Sequence, residues 1–193
     1  MGSLWRAGGL AALLALAGCT SLSLDPAARP RPLDHLNDDI ASLLLVFDLP
    51  ASLEPVRQGS VVSLDFAAPA DGGRHIRAAL VAADASDLAD ALPPPADGRS
   101  YYFFGFSGAD QASIRAAQEW ARALPPGNTA MTLSLSPGLC RTAEIDPARV
   151  SVSVLVALPG ASGLAPLLAD RSVEDVLAAA SIETVPTCAG HSG

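Results

Sequence analysis

Lysine is absent from these 193 residues, and the 12 basic side chains, all arginine, face 20 acidic ones for a formal net charge of −8. Binding to nucleic acid depends on clustered cations that displace phosphate counterions, so no nucleic-acid partner is expected. The same shortage removes any polybasic stretch for an anionic lipid surface. Histidine occurs three times, at His35, His75 and His191. These are scattered rather than spaced as a ligand set, so neither a metal nor any other cofactor is expected. Aromatic residues make up 5% of the chain, and no apolar run reaches the ~20 residues that a membrane-spanning helix needs.

What is present begins at the N-terminus. Met1 to Arg6 carries one cation, Ala7 to Ala17 is apolar apart from two glycines, and Ala17-Gly18 supplies small residues ahead of Cys19. This is the three-part layout of an export signal. Leu16-Ala17-Gly18-Cys19 resembles the lipobox of bacterial lipoproteins, a likeness confined to about the first two dozen residues. The resemblance implies that residues 1–18 are a removed signal peptide and that Cys19 carries membrane lipid on its sulfur. Several acyl chains at ~0.8 kcal/mol per buried methylene make such an attachment lasting. Thr20, where an Asp would resemble inner-membrane retention, favours the outer membrane, with the protein facing the periplasm.

Lipidation of Cys19 leaves an even pair, Cys140 and Cys188. In an oxidising compartment that pair reads as a disulfide. Residues 19–39 contain Pro26, Pro30 and Pro32 among small and charged residues, the composition of a flexible tether. Residues 40–193 then read as a single β-rich domain, with no internal repeat and no second boundary.

Ala41 to Asp48 is a short apolar run suited to a buried strand. Ser60 to Phe66 and Arg74 to Ala82 alternate with period two around Asp71-Gly72-Gly73, the pattern of a hairpin. Asp84 to Leu92 reads as a short helix, and Pro93-Pro94-Pro95 begins a stiff exposed loop. Ser100 to Phe106 is an aromatic strand. Ser107 to Asp110 forms a capping box that predicts a helix to Leu124, and Ser172 to Asp175 forms another for a helix to Ala180. Thr129 to Ser136 and Arg149 to Leu158 alternate as strands, the stretch between them reads as a loop, and Pro159 to Ala169 reads as irregular. One helix set late among six strands argues against βαβ units and for an antiparallel arrangement. The expected fold is mainly β (α+β), an antiparallel β-sandwich resembling the immunoglobulin-like class with a crossover helix near 107–124. A single sheet packed on two helices is the alternative.

Catalytic patterns are incomplete. Gly105-Phe106-Ser107-Gly108-Ala109 lies between a strand and a helix like a nucleophile elbow, but Ala109 replaces the final glycine. A serine nucleophile also needs a base and an orienting acid, and His191 alone lies downstream. Asp34, His35, Asp38 and Asp39 lack the spacing of a calcium loop. Asp84, Asp87 and Asp90 recur every three residues and read as a solvated stripe.

Alternation along residues 101–106 places either Tyr101 and Phe103 or Tyr102, Phe104 and Phe106 in the core. The other row is then covered or exposed. An exposed row would be a recognition patch, since aromatic side chains favour interfaces. Tyr101, Tyr102, Phe104, Trp120 and the neighbouring Pro94 are therefore the candidate binding surface. The expected function is that of a non-enzymatic envelope lipoprotein, which binds or scaffolds another envelope component from the periplasmic side, with membrane lipid at Cys19 and an envelope protein as the candidate partners. A small periplasmic hydrolase using Ser107 or an acidic pair, and a passive spacer, are the alternatives.

Overall fold

The structure, a computed structural model, describes residues 34, 36–56, 59–68, 72–84, 88, 92–125, 129–157 and 164–189. The signal segment, Cys19, His35, Asp87, Asp90 and His191 lie outside the described residues, as does most of the helix expected over 84–92. After a 3-10 turn at Ile40–Ser42 the strands are β1 (Leu44–Pro50), β2 (Leu53–Pro55), β3 (Val61–Ala68), β4 (Gly72–Ala82) and β5 (Arg99–Phe106). Helix α1 (Gly108–Arg122) is followed by β6 (Ala130–Ser136), β7 (Leu139–Arg141), β8 (Ser151–Ala157), β9 (Leu164–Ser172) and helix α2 (Val173–Ala180). Among the described residues, no helix is long and apolar enough to cross a membrane.

The protein is mainly β, with one helix in mid-chain and one near the C-terminus. Seven strands form one antiparallel sheet in the order β6-β3-β4-β5-β1-β8-β9, and β2 with β7 makes a separate ribbon. Two facing sheets of the immunoglobulin type are not seen among the described residues. The reason lies in β4, which at 11 residues is the longest strand. Its residues 72–79 pair with β3, whereas Leu80, Val81 and Ala82 pair with Phe106, Gly105 and Phe104 of β5. One strand thus serves both halves of the β-structure and joins them into a single curled sheet.

Alternation decides what the curl encloses. Val62, Leu64 and Phe66 of β3, Ala78 and Leu80 of β4, Phe104 and Phe106 of β5, and Leu45, Phe47 and Leu49 of β1 share one buried cluster. Phe47 and Phe104 meet edge to face with ring centroids 5.0 Å apart, the arrangement that the ring quadrupoles favour. Ile114, Ala117 and Ala121 add one stripe of α1 to this core, as expected for an amphipathic helix at 3.6 residues per turn. The helix begins where Ser107 Oγ accepts the Asp110 N–H at 3.2 Å and itself donates to Asp110 Oδ2 at 2.7 Å. Ser172 Oγ likewise accepts the Asp175 N–H at the start of α2.

Strand β1 is buried on both faces. On the face away from the main core, Val46 packs in a second cluster with Leu155, Ala157 and Leu164. Farther along that face Asp48 is buried, with Arg99 Nε donating to its Oδ1 at 2.7 Å. The guanidinium also donates to the carbonyls of Asp48 and Ser151, so one ion pair links β1, β5 and β8. A buried pair with further hydrogen bonds is tolerated because its desolvation is offset, and loss of one partner is costly.

Candidate functional site

Strand β5 distributes its aromatic residues over both faces of the sheet. Phe104 and Phe106 lie in the main core with Tyr102 packed against it, whereas Tyr101 and Phe103 pack on the second cluster beside Leu88 and Leu92. Burial raises the phenol pKa of both tyrosines, helped by the charge of Asp48 at Tyr101 and of Glu54 at Tyr102. Trp120 is half-buried on α1, with the guanidinium carbon of Arg74 5.3 Å from its ring centroid. Pro94 is exposed in its loop. The five residues read together as a binding surface therefore occupy the core, its helical margin, the opposite face and a loop. Alternation separated them: adjacent strand residues point to opposite sides, and both sides of β5 are covered.

The polar candidates are each engaged locally. Ser107 caps α1. Asp34 Oδ1 accepts the N–H groups of Leu36 and Asn37. Gln118 Nε2 donates to the carbonyl of Asp38 and Arg122 Nε to that of Leu36, while Arg115 pairs with Asp39. The hydroxyl of Ser42 donates to Asp39 at 2.5 Å and is the main cause that holds the Asp39 pKa below its usual value; burial opposes it, and Arg115 adds to the lowering. The end of the segment read as tether thus rests on α1. Asp84 is exposed at the end of the β4 segment. Cys140 and Cys188 are bonded to each other, and Glu54 lies beside them. A disulfide has no thiolate to offer a metal.

A groove with open space around it lies between the two edges of the sheet. This groove, of about 640 Å³, is lined by Leu133 and Leu135 of β6, Leu167 and Arg171 of β9, and Val176 and Ala179 of α2. The curl brings β6 and β9 toward one another without pairing them, and α2 borders the space between. Along β6, Met131, Leu133 and Leu135 are half-buried and Thr132, Ser134 and Ser136 are exposed. Leu167 is 37% exposed at the rim. The pattern is an apolar floor flanked by a strand edge that is unpaired among the described residues and by a row of hydroxyls.

The strand leaves β6 through Pro137 and Gly138, where space admits no side chain. A Cβ on Gly138 would lie 2.3 Å from the carbonyl carbon of Gly59. Gly138 N–H donates to Ser60 Oγ at 3.0 Å and its carbonyl accepts from Val56 N–H at 3.0 Å. These bonds fix the end of β6 at the mouth of the groove.

No protein-family model, curated protein or solved structure matches the chain. The seam between β6 and β9 therefore stands on its own geometry. Sequence reasoning missed it because one wall, β9, falls largely in the stretch read as irregular. The available signal was the apolar run Leu164 to Leu168 interrupted by Pro166, which suits an edge strand.

Proposed function

We propose that the chain is a non-enzymatic lipoprotein of the bacterial envelope, held through Cys19 in a membrane and facing the periplasm, that binds or scaffolds an envelope protein at the β6–β9 seam. The outer membrane is the favoured location. The observation that carries the binding role is the seam itself, an apolar-lined groove beside a strand edge that pairs only with β3 among the described residues. An edge of this kind offers main-chain donors and acceptors to an added strand, and apolar pockets select its alternate side chains. The address is supported by the apolar run that ends in Leu16-Ala17-Gly18-Cys19, and the bonded Cys140–Cys188 pair suits an oxidising compartment.

Two measurements test this reading. Cys19→Ala should prevent lipid labelling and abolish the tight membrane retention of the processed protein. A photo-crosslinking residue at Leu167 should give a discrete adduct in intact cells, while the same residue at Asp97, in the exposed turn before β5, should not. No adduct at the seam, or ester hydrolysis by the purified chain that disappears in Ser107→Ala, would overturn the proposal.

A further inference from the structure

Met131, Leu133 and Leu135 of β6 stand opposite Phe66, Leu64 and Val62 of β3. Those three β3 side chains are 1%, 0% and 0% exposed, yet their β6 partners are all half-buried. The core is unfinished along this edge, and one more strand would complete it. The edge is also regular: β6 keeps register with β3 through all seven residues, and its sequence AMTLSLS contains no proline and no charge. Natural sheet edges are commonly guarded by charge, proline or a bulge. None of these guards is present on β6.

We infer that the occupant of the seam is the β6 strand of a second copy of this chain, joined antiparallel about a two-fold axis near Leu133. This rests on the reading of the seam as a docking site and names what docks there. Pairing centred on Leu133 opposes Met131 to Leu135, Leu133 to itself and Thr132 to Ser134. Because every pair joins residues of the same parity, apolar side chains meet apolar ones on the inner face, while on the outer face Thr132 meets Ser134 and Ala130 meets Ser136. A two-fold interface requires this self-complementarity.

Charge favours the same occupant. The chain carries a net −8, so most of its surface repels a copy, but paired β6 strands set no like charges opposite one another. A charged partner strand would find no counter-ion on β6, and the charged residues lining the groove, Arg171 and Asp175, are one of each sign. On the outer face Asp65 of β3 lies opposite Thr132 and is bonded to His75 Nδ1 at 2.6 Å. The other edge is a poor substitute, because Pro166 of β9 lacks an N–H and Asp170 is in the left-handed region at φ 49°.

The test uses the full chain extracted from membranes in detergent, with micelles in large excess, and reads its mass by sedimentation equilibrium. The unaltered protein should sediment as a dimer. Thr132→Lys combined with Ser134→Lys sets lysine against lysine across both outer-face pairs and should weaken association by about 100-fold or more. Both sites are solvent-exposed, so the variant should keep the far-UV circular-dichroism spectrum of the folded chain, with a melting temperature that no longer depends on protein concentration. Thr132→Ser with Ser134→Thr should remain dimeric. A monomeric unaltered protein at high micromolar concentration, or a lysine variant that stays folded and dimeric, would overturn the inference. The Leu167 crosslink separates the two proposals. An adduct with a different protein from a chain that sediments as a monomer retains the docking site and eliminates the second copy.

Discussion

Strand β6 holds an unbroken register with β3 over seven residues, whereas β9 meets β8 through two register shifts and carries Pro166, Asp170 and Arg171. Both strands end the same sheet. On β9, a missing donor, a left-handed residue and irregular pairing make the edge hard for another strand to join. On β6, continuous pairing and an uncharged sequence leave the edge ready to be joined. The contrast also appears in packing: β6 lies one strand away from completely buried Leu64, while the β9 rim exposes Leu167. The two edges of one sheet thus differ in how readily a further strand could pair with them.

The strongest challenge to this comparison is a cavity on each side. Leu64→Ala removes a side chain with no exposure from the floor below β6 and should cost about 2–5 kcal/mol in denaturant unfolding. Leu168→Ala, at a half-buried position on β9, should cost less than half as much. Equal losses would show that the two edges are supported alike. Next in size, Ser172→Ala removes the cap of eight-residue α2 and should cost about 1 kcal/mol, with faster amide exchange concentrated in α2 beside the seam. Uniform acceleration through β3 and β6 would contradict the separation of the two walls.

A smaller effect comes from the middle of the sheet. The Tyr101 and Tyr102 pKa values are raised from the usual 10.0, mainly by burial. Above that value the unfolded phenols ionise before the folded ones, so stability is full below pH 10 and falls as pH rises through the folded values. The melting temperature should decline above pH 10, and the decline should shrink in Tyr101→Phe and Tyr102→Phe but persist in Ser134→Lys. The smallest effect belongs to Pro166→Val, which should change stability by less than about 0.5 kcal/mol yet promote slow self-association by restoring an edge donor. If association is unchanged, proline is not what guards β9.

The outer strands of the sheet were legible where they have one wetter face. In β3 a buried row alternates with a wetter one and in β6 a half-buried row alternates with an exposed one, so period two is visible in the residues themselves. The two capping serines located both helices for an equally local reason. Strands β2 and β7 have three residues each, too few to show a period, and β9 breaks its own period with Pro166 and a bulge. The sheet's closure was not legible, since the residues of β4 do not state that its last three will change partner from β3 to β5. The fate of the aromatic residues was half legible. Alternation sorted them into two rows, but only the structure shows that Tyr101 and Phe103 pack against the second cluster of Val46, Leu155, Ala157 and Leu164.

The Cys140–Cys188 bond spans 48 residues and encircles β8, β9 and α2. One whole wall of the groove is therefore a covalent ring. A protease that cuts a single peptide bond within that ring leaves two fragments still tied together, which part on a gel only after reduction. In a compartment exposed to secreted proteases, the wall can be nicked without being shed.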